Sequence, residues 1–464
     1  MVQIRFSIIT IALGVVSINA QISTWVANET SISYAKMYNN IQPAGTAAGC
    51  VIASPSISNP DYYYSWVRDS AMTLKVVINQ YNTTSASNST LLSIIKNYVT
   101  FSRNTQTEST PCSCIGEPKF NVDGSAYTGA WGRPQNDGPA IRATALIKFA
   151  YSYIAQTGDK SYVLSALYDG KLPTSTIIKA DLEYVSNNWR SVCYDLWEEV
   201  EGNHFFTMMV QRRSLIEGAA FATYMDDTGA ANYYSEQAAD ILTALKTFWN
   251  LEAGTIETTQ NYTQGVKYKS SGLDCAQILG VLHGYAGDGQ FSPNNDELLS
   301  TAYNLKQKFA SLYPVNYNNS SYATAIGRYP EDEYDGTGTS EGNPWILCTA
   351  AYAELYSKAA MQYDIDGAIY VTANNLNFIK QFYSSASSGD VYSSSSSQYT
   401  TIVNGLYSGA DGFFETISYH ANTDGSLGEE WDRTTGYNVG AHDLTWSYAS
   451  FITASLARSG TPAF

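Results

Sequence analysis

Apolar residues recur at four-residue steps along most of this chain, and this spacing restricts it to a helical fold. Within residues 139–154, for example, Ile141, Ala145, Phe149 and Tyr153 share one face of a predicted helix. Alternating strand patterns are scarce. Long loops rich in Gly, Pro, Asn, Asp and aromatic residues separate the periodic segments. We therefore predict an all-α fold, a helical barrel whose loops form a functional site at one end.

Ten helices are predicted, with boundaries set by the periodicity and by nearby capping residues. Pro139 is expected at the first position of one helix, and Asn343 and Pro344 as the cap and first residue of another. The serine-rich residues 383–400 are interpreted as a long surface loop. The predicted helices cover residues 69–80, 89–104, 139–154, 206–225, 232–249, 273–283, 296–312, 344–361, 366–382 and the segment that begins at Asp443.

The N-terminal segment, residues 1–20, has the pattern of a secretory signal peptide. Arg5 precedes the apolar residues 8–16, and the small residue Ala20 ends a typical cleavage site. Residues 21–464 are then expected to form a single catalytic domain, secreted as a monomer. Sequons for N-glycosylation fit an extracellular protein and occur at Asn28, Asn82, Asn88, Asn261, Asn318 and Asn319.

Charge and cysteine content narrow the possible partners. The formal net charge is −16, which argues against nucleic acid and anionic membranes, because both attract basic patches. Six cysteines predict one to three disulfides of unknown pairing, with Cys348 as a candidate buried free thiol. The four histidines are scattered and show no metal-ligand spacing. No metal and no cofactor are therefore expected.

Two acidic clusters lie far apart in the sequence. Residues 194–201 read Tyr-Asp-Leu-Trp-Glu-Glu-Val-Glu, and residues 429–432 read Glu-Glu-Trp-Asp. Hydrolysis of a glycosidic bond requires one carboxylic acid and one carboxylate, and crowded carboxyl groups raise one another's pKa. A solvated acidic turn is the alternative interpretation. Adjacent side chains diverge, so one glutamate of each pair is the expected catalytic group, although the residues alone do not indicate which.

Three loops combine tryptophan or tyrosine with arginine and aspartate. They lie in residues 59–69, 116–135 and 327–334. Aromatic faces stack on the C–H face of a sugar, and the Arg and Asp groups bind its hydroxyls. Each segment alone also fits an aromatic core with a salt bridge. Together the three loops predict a cleft that binds carbohydrate.

In their order and their residues, these motifs resemble those of the fungal glucoamylases, glycoside hydrolase family 15. Gly-Glu-Pro-Lys-Phe-Asn-Val-Asp at 116–123 and Asp-Leu-Trp-Glu-Glu-Val at 195–200 carry the resemblance most specifically. It covers roughly residues 30–457 and implies an (α/α)6 barrel. It also implies an inverting exo-hydrolase that releases β-D-glucose from the non-reducing ends of α-1,4-linked glucans, and more slowly from α-1,6 links.

The resemblance further implies the roles of individual residues. Glu198 would be the general acid, and Glu429 the general base that activates water. The expected substrate-binding residues are Tyr62, Trp66, Arg68, Asp69, Trp131, Trp197, Glu199, Arg328, Trp446, Tyr334 and Trp345.

Two departures from the family pattern accompany this assignment. Glu430 stands where relatives often have glutamine, and an extra carboxylate there is expected to raise the pKa of Glu429. The starch-binding module that many relatives carry is not expected in this sequence.

Two other functions remain open at this point. One keeps the fold and the carboxylate pair but acts on another substrate, as a trehalase or dextran-type exo-hydrolase would. The other is a carbohydrate-binding protein with an inactivated site. Release of glucose from maltose or from trehalose separates the enzymatic alternatives. Loss of hydrolysis in Glu198→Gln separates both of them from a binding protein.

Overall fold

The computed structural model describes residues 20–84, 88–317 and 322–463, and these residues form thirteen α-helices. In chain order the helices are α1 (Ala20–Asn39), α2 (Val67–Thr83), α3 (Ser89–Thr107), α4 (Asp137–Thr157), α5 (Ile177–Asn188), α6 (Phe205–Tyr224), α7 (Thr228–Leu245), α8 (Cys275–Gly284), α9 (Asp296–Leu312), α10 (Ile346–Asp366), α11 (Leu376–Ile379), α12 (Ser397–His420) and α13 (Thr445–Arg458).

Six of these helices pack into a closed inner ring. The order around the ring is α2, α4, α6, α8, α10 and α13, and α13 returns to pack against α2. Six others cover the outside: α1 packs on α13, α3 on α2, α5 on α4, α7 on α6, α9 on α8 and α12 on α10. This double ring is the (α/α)6 barrel, and the all-α prediction is confirmed.

The inner helices are buried on most of their faces because they are enclosed by the outer ring and by each other. Helix α10 shows how the sequence permits this. Ala350, Ala351, Ala353, Ala359 and Ala360 are all buried in it. Small side chains let neighbouring helices approach closely, while large apolar residues between them fill the barrel interior.

Eleven short strands occur among the described residues, all in small antiparallel sheets in the loops. They are β1 (Ser65–Trp66), β2 (Lys119–Phe120), β3 (Cys193–Tyr194), β4 (Val200–His204), β5 (Trp249–Asn250), β6 (Thr255–Ile256), β7 (Thr259–Gly265), β8 (Ala368–Tyr370), β9 (Val391–Ser393), β10 (Glu430–Trp431) and β11 (Asn438–Val439). Strand β1 pairs with β2, β3 with β4, β4 with β7, and β10 with β11. These pairs stiffen the loops that carry the candidate site.

Most predicted helices are confirmed, with boundaries that shift by a few residues. Helix α4 begins at Asp137, so Pro139 lies inside the first turn and not at its first position. This is tolerated because the first N–H groups of a helix lack intrahelical partners. Helix α13 begins at Thr445, two residues after the predicted start, because Asp443 has a left-handed backbone with φ of 48°.

The predicted start of the helix at 344–361 is wrong. Helix α10 begins at Ile346, and Trp345 occupies the capping position with an extended backbone. The Pro344 carbonyl instead accepts a hydrogen bond from the Trp431 N–H at 3.0 Å. The Asn343 side chain donates to Glu430 at 2.9 Å. The segment before α10 is therefore extended because it pairs with the loop that carries the second acidic cluster.

The helix predicted over residues 366–382 is also wrong. This stretch contains β8 and only the four-residue helix α11. Gly367, with φ of 72°, ends α10 and turns the chain into β8, which pairs with β9. The serine-rich segment is partly ordered as β9, and α12 begins inside it at Ser397. Helices α1, α5 and α12 were not predicted.

Cysteine chemistry is simple in the described residues. Cys112 and Cys114 form a disulfide, while Cys50, Cys193, Cys275 and Cys348 are buried free thiols. The predictions for the disulfide number and for Cys348 are therefore confirmed. No helix among the described residues combines the length and apolar character that a bilayer crossing requires. The predicted signal peptide, apart from Ala20, and the sequons at Asn318 and Asn319 lie outside the described residues.

Candidate active site

A cavity of about 160 Å³ opens at one end of the barrel. Twelve of the thirteen predicted site residues line it, together with Ala53, Leu196 and Leu444. The thirteenth, Trp131, packs its ring against Trp66 with centroids 5.9 Å apart. The twelve are Tyr62, Trp66, Arg68, Asp69, Trp197, Glu198, Glu199, Arg328, Tyr334, Trp345, Glu429 and Trp446.

The cavity lies at the N-terminal ends of the inner helices. Trp66 immediately precedes α2, Trp345 immediately precedes α10, and Leu444 immediately precedes α13. Glu198 lies in the loop before α6, and Glu429 in the loop before α13. Because α6 and α13 are three positions apart in a ring of six helices, these two glutamates approach the cavity from opposite sides.

Glu198 lies at the tip of the β3–β4 hairpin. Asp195 stabilises this tip, because its Oδ1 accepts the backbone N–H groups of Glu199 at 2.7 Å and of Val200 at 2.9 Å. Glu198 itself has a φ of 68°, a left-handed conformation that is uncommon for glutamate. Strained residues of this kind concentrate at functional sites, where the surrounding structure holds them in place.

Within the described residues, every hydrogen bond to the Glu198 carboxylate is made to one oxygen, Oε1. Oε1 accepts from Trp66 Nε1 at 2.7 Å and from Gln135 Nε2 at 3.1 Å, and Arg68 Nη2 lies 3.7 Å from it. The two N–H donors occupy the lone pairs of this oxygen, so the proton of the carboxylic acid does not fit there. The proton of a neutral Glu198 therefore belongs on Oε2, the oxygen left available to a ligand.

Glu429 is fully buried. Its Oε2 accepts from the Ala441 N–H at 3.0 Å and from the Tyr334 hydroxyl at 3.3 Å, and the Tyr62 hydroxyl lies 3.1 Å from that of Tyr334. Its Oε1 has no hydrogen-bond partner among the residues that the structure describes. Burial raises the pKa of Glu429 to about 7, against the opposing effect of these donors and of Arg328.

Glu430 and Glu429 are electrostatically coupled in the structure. Glu430 is also fully buried, and burial together with the charge of Glu429 raises the pKa of Glu430 well above its ordinary value. Asn343 Nδ2 donates to its Oε2 at 2.9 Å. Glu430 therefore retains its proton while Glu429 ionises, and burial is the main cause of the raised pKa of Glu429.

We expect Glu430→Gln to leave the acid limb of the kcat/KM profile in place and to change kcat/KM by less than about threefold, because a neutral amide replaces a neutral acid. As the predicted general base, Glu429 must be ionised to act, so activity is expected to fall as the pH falls through its raised pKa. The measurement is the pH–rate profile, and the control is Glu341→Gln, the same substitution at an exposed glutamate. A shift of the acid limb to lower pH in Glu430→Gln alone would show that Glu430 is ionised.

Glu199 belongs to an ionic network beside the cavity. Its carboxylate forms ion pairs with Arg328 Nη2 at 2.8 Å and with Lys269 Nζ at 3.1 Å, and it accepts a hydrogen bond from the Tyr329 hydroxyl at 2.7 Å. Asp332 accepts two further bonds from Arg328, at 2.7 and 2.6 Å. A forked pair of this geometry fixes the guanidinium plane, so its remaining edge is directional for ligand hydroxyls.

Arg68 is held in a similar way at the start of α2. Its Nη1 donates to Asp137 at 2.7 Å and to Gln135 at 3.0 Å. Its Nε has no hydrogen-bond partner among the described residues. Burial raises the pKa of the neighbouring Asp69 to about 6, while the Arg68 charge opposes this shift. The pair combines a donor and an acceptor on one wall of the cavity.

Tryptophan rings form another wall. The Trp197 ring stacks on that of Trp446, with centroids 6.2 Å apart and planes 24° apart, and lies 5.6 Å from that of Trp345. Trp197 Nε1 donates to Asp274 at 2.8 Å, which fixes the orientation of the ring. Rigid aromatic faces of this kind offer a large contact area at little entropic cost.

Sequence reasoning missed several contributors. Gln135 and Asp332 lie inside motifs that were recognised, yet amides and second carboxylates carry no distinctive signal. Lys269 has no motif around it and joins the site only because its loop folds against Asp195 and Glu199. The Ala441 contact to Glu429 uses a backbone N–H, which no residue type reveals.

A double ring of helices whose open end holds two opposed carboxylates among tryptophan and arginine side chains defines a glycoside hydrolase. The chain belongs to glycosyl hydrolases family 15, whose sequence profile matches residues 31–456.

Proteins named as glucoamylases are similar over nearly the whole chain. Glucoamylase 1 of Rhizopus oryzae is 48% identical over 446 residues, which is 96% of this chain and 72% of that protein. The glucoamylase of Blastobotrys adeninivorans is 40% identical and covers 93% of this chain and 70% of that protein. The solved family 15 glucoamylase from Hypocrea jecorina has a TM-score of 0.87 at 36% identity, with coverage of 96% and 73%.

Proposed function

We propose that this protein is a secreted glucoamylase, an inverting exo-hydrolase that releases β-D-glucose from the non-reducing ends of α-1,4-linked glucans and more slowly cleaves α-1,6 links. The main support is the placement of Glu198 and Glu429 in loops from opposite sides of the inner ring, on one cavity. Inversion requires this arrangement, because the proton donor and the attacking water act on opposite faces of the sugar.

In this proposal Glu198 is the general acid. Its Oε2 proton passes to the glycosidic oxygen as the bond between that oxygen and the anomeric carbon breaks. The departing chain leaves as an alcohol, and Glu198 becomes a carboxylate. The N–H groups of Trp66 and Gln135 on Oε1 are positioned to stabilise the negative charge that develops there.

Glu429 is the proposed general base. Its free Oε1 accepts a proton from a water molecule, whose oxygen bonds to the anomeric carbon from the face opposite the departing chain. The product is glucose with the opposite anomeric configuration. Burial of Glu429 suits this role, because a raised pKa makes its carboxylate a stronger base.

The remaining predicted residues are proposed to bind the glucan. Arg68 and Asp69 bind hydroxyls of the terminal glucose, with Tyr62 and Trp66 beside it. The first two sugar units are held by Trp131, Trp197, Glu199 and Arg328. The rest of the cavity wall is formed by the rings of Trp446, Tyr334 and Trp345. The packed barrel interior beneath the cavity favours entry of a chain end over passage of a chain interior.

We also propose that residues 21–464 form one catalytic domain that acts as a monomer outside the cell. Support for extracellular glycosylation comes from the exposure of Asn28, Asn82 and Asn261. Asn88 is half-buried and its side chain caps α3, so it is a weaker candidate for glycosylation than those three.

Proton NMR of maltoheptaose hydrolysis tests the proposed function. The expected first products are β-D-glucose and maltohexaose, with the α-anomer appearing only as the released glucose mutarotates. Early α-D-glucose would contradict inversion, and early internal fragments would contradict exo action. Release of glucose from trehalose but not from maltose would favour the trehalase alternative.

A further inference from the structure

Lys119 occupies a cage of four aromatic rings beside the cavity. Its ammonium nitrogen lies 3.7 Å from the ring centroid of Trp131, 4.0 Å from that of Tyr64, 4.2 Å from that of Tyr127 and 4.5 Å from that of Trp66. Contacts within about 6 Å of a ring centroid are attractive cation–π interactions, and tryptophan gives the strongest of them.

The four rings also contact one another in a closed circuit. The centroid distances are 6.2 Å from Tyr64 to Trp66, 5.9 Å from Trp66 to Trp131, 5.7 Å from Trp131 to Tyr127 and 5.3 Å from Tyr127 to Tyr64. All four pairs meet at large interplanar angles. The rings therefore enclose the ammonium group together.

The cage replaces the partner that a buried lysine ordinarily requires. Lys119 is only 2% exposed, and no carboxylate of the described residues lies within salt-bridge distance of it. The charged groups that face it at longer range are Glu198, Asp61 and Arg133. A buried cation without a close anion is costly unless other groups compensate, and the four ring faces are the groups in contact with it.

The cage is connected directly to the proposed acid. Lys119 is the cross-strand partner of Trp66 in the β1–β2 pair, so their side chains share one face. The Trp66 indole N–H then donates to Glu198 at 2.7 Å. A cation against the indole face draws electron density from the ring, which strengthens the N–H as a donor. Lys119 can thus influence Glu198 without touching it or the substrate.

We propose that Lys119 is a positioning residue: its ammonium group holds Trp66 and Trp131 in the four-ring cage and thereby keeps the Trp66 N–H directed at Glu198. This inference rests on the proposed role of Glu198 as general acid. The cage itself does not depend on that role, so it is tested separately by spectroscopy.

The kinetic test compares Lys119→Met, Lys119→Arg and the control Lys96→Met on maltose and on α-D-glucosyl fluoride, whose leaving group needs no proton. Lys96 contacts the rings of Tyr153 and Tyr162, away from the cavity. For Lys119→Met we expect kcat on maltose to fall by about tenfold to a hundredfold, as a displaced catalytic contact would cause, with less than about threefold change on the fluoride. Lys119→Arg should retain most activity, and Lys96→Met all of it.

Equal losses on both substrates, or no loss on either, would overturn the proposal. If the unaltered protein hydrolyses neither substrate, the proposed function fails. The spectroscopic test alone then decides whether the ammonium group of Lys119 holds the rings in place.

The spectroscopic test uses the near-ultraviolet circular dichroism of the coupled Trp66 and Trp131 rings. Burial lowers the pKa of Lys119 to about 8. In the unaltered protein the signal should therefore change as the pH rises through about 8, because a neutral amine loses its attraction to the rings. Lys119→Arg should show no such transition. A transition that persists in Lys119→Arg, or none in the unaltered protein, would contradict the cage as a charge-dependent device. This measurement applies even if Lys119→Met does not fold.

Discussion

Glu198→Gln is expected to lower kcat on maltose by about 10³-fold, within the range that a positioned general acid contributes. Glutamine retains the shape of the side chain, and its carbonyl oxygen can still accept from Trp66 and Gln135. It carries no transferable proton for the glycosidic oxygen. The loss should therefore appear in kcat, while KM for maltose stays within about threefold, because binding is preserved.

The substrate α-D-glucosyl fluoride separates loss of the acid from general damage. Fluoride departs without a proton, so Glu198→Gln should hydrolyse it within about tenfold of the unaltered rate. The matched control is Glu201→Gln in the same acidic run, where Glu201 accepts a bond from Thr263 at 2.6 Å on the outer side of the hairpin. Equal loss on maltose and on the fluoride would remove Glu198 from the role of general acid.

Glu429→Gln is expected to lower kcat by about 10²-fold to 10⁴-fold on maltose and on the fluoride alike. Both reactions require a water molecule to lose a proton as it attacks the anomeric carbon, and an amide cannot accept that proton. The Ala441 N–H and the Tyr334 hydroxyl can still bind the glutamine carbonyl oxygen, so the loop is expected to remain in place.

Azide provides the corresponding rescue experiment with Glu429→Ala. The shortened side chain leaves space for azide, which needs no base to attack. Its nitrogen bonds to the anomeric carbon of α-D-glucosyl fluoride as the fluoride ion leaves, and the expected product is β-D-glucosyl azide. Formation of the α-azide, or rescue of Glu198→Gln instead of Glu429→Ala, would assign the two carboxylates differently.

The candidate site was predictable because its chemistry resides in residue types that cluster in short motifs. Trp66, Arg68 and Asp69 lie within four residues, as do Trp197, Glu198 and Glu199. The motifs do not indicate which neighbour each side chain contacts in the folded protein. The carboxylates that flank Glu198 in the sequence have partners of their own, since Asp195 and Glu199 bind Lys269 and Glu201 binds Thr263.

The same contrast applies to the fold. Long periodic segments such as α4 and α9 were recognisable because their apolar residues repeat at the helical period. The errors fall where tertiary pairing overrides local preference. Pro344 is extended because its carbonyl bonds to Trp431, and the chain enters strand β8 after Gly367 because β8 pairs with β9.

The sequence by itself determined the helical character of the chain, the loops that carry its chemistry and the pair of acidic clusters. These properties depend on residue type and on spacing along the chain. Only the tertiary structure decided that α6 and α13 face each other across the inner ring, that burial raises the pKa of both Glu429 and Glu430, and that Lys119 lies within four rings. The physical reason is that burial, charge coupling and ring contacts depend on distances between residues that are far apart in the chain.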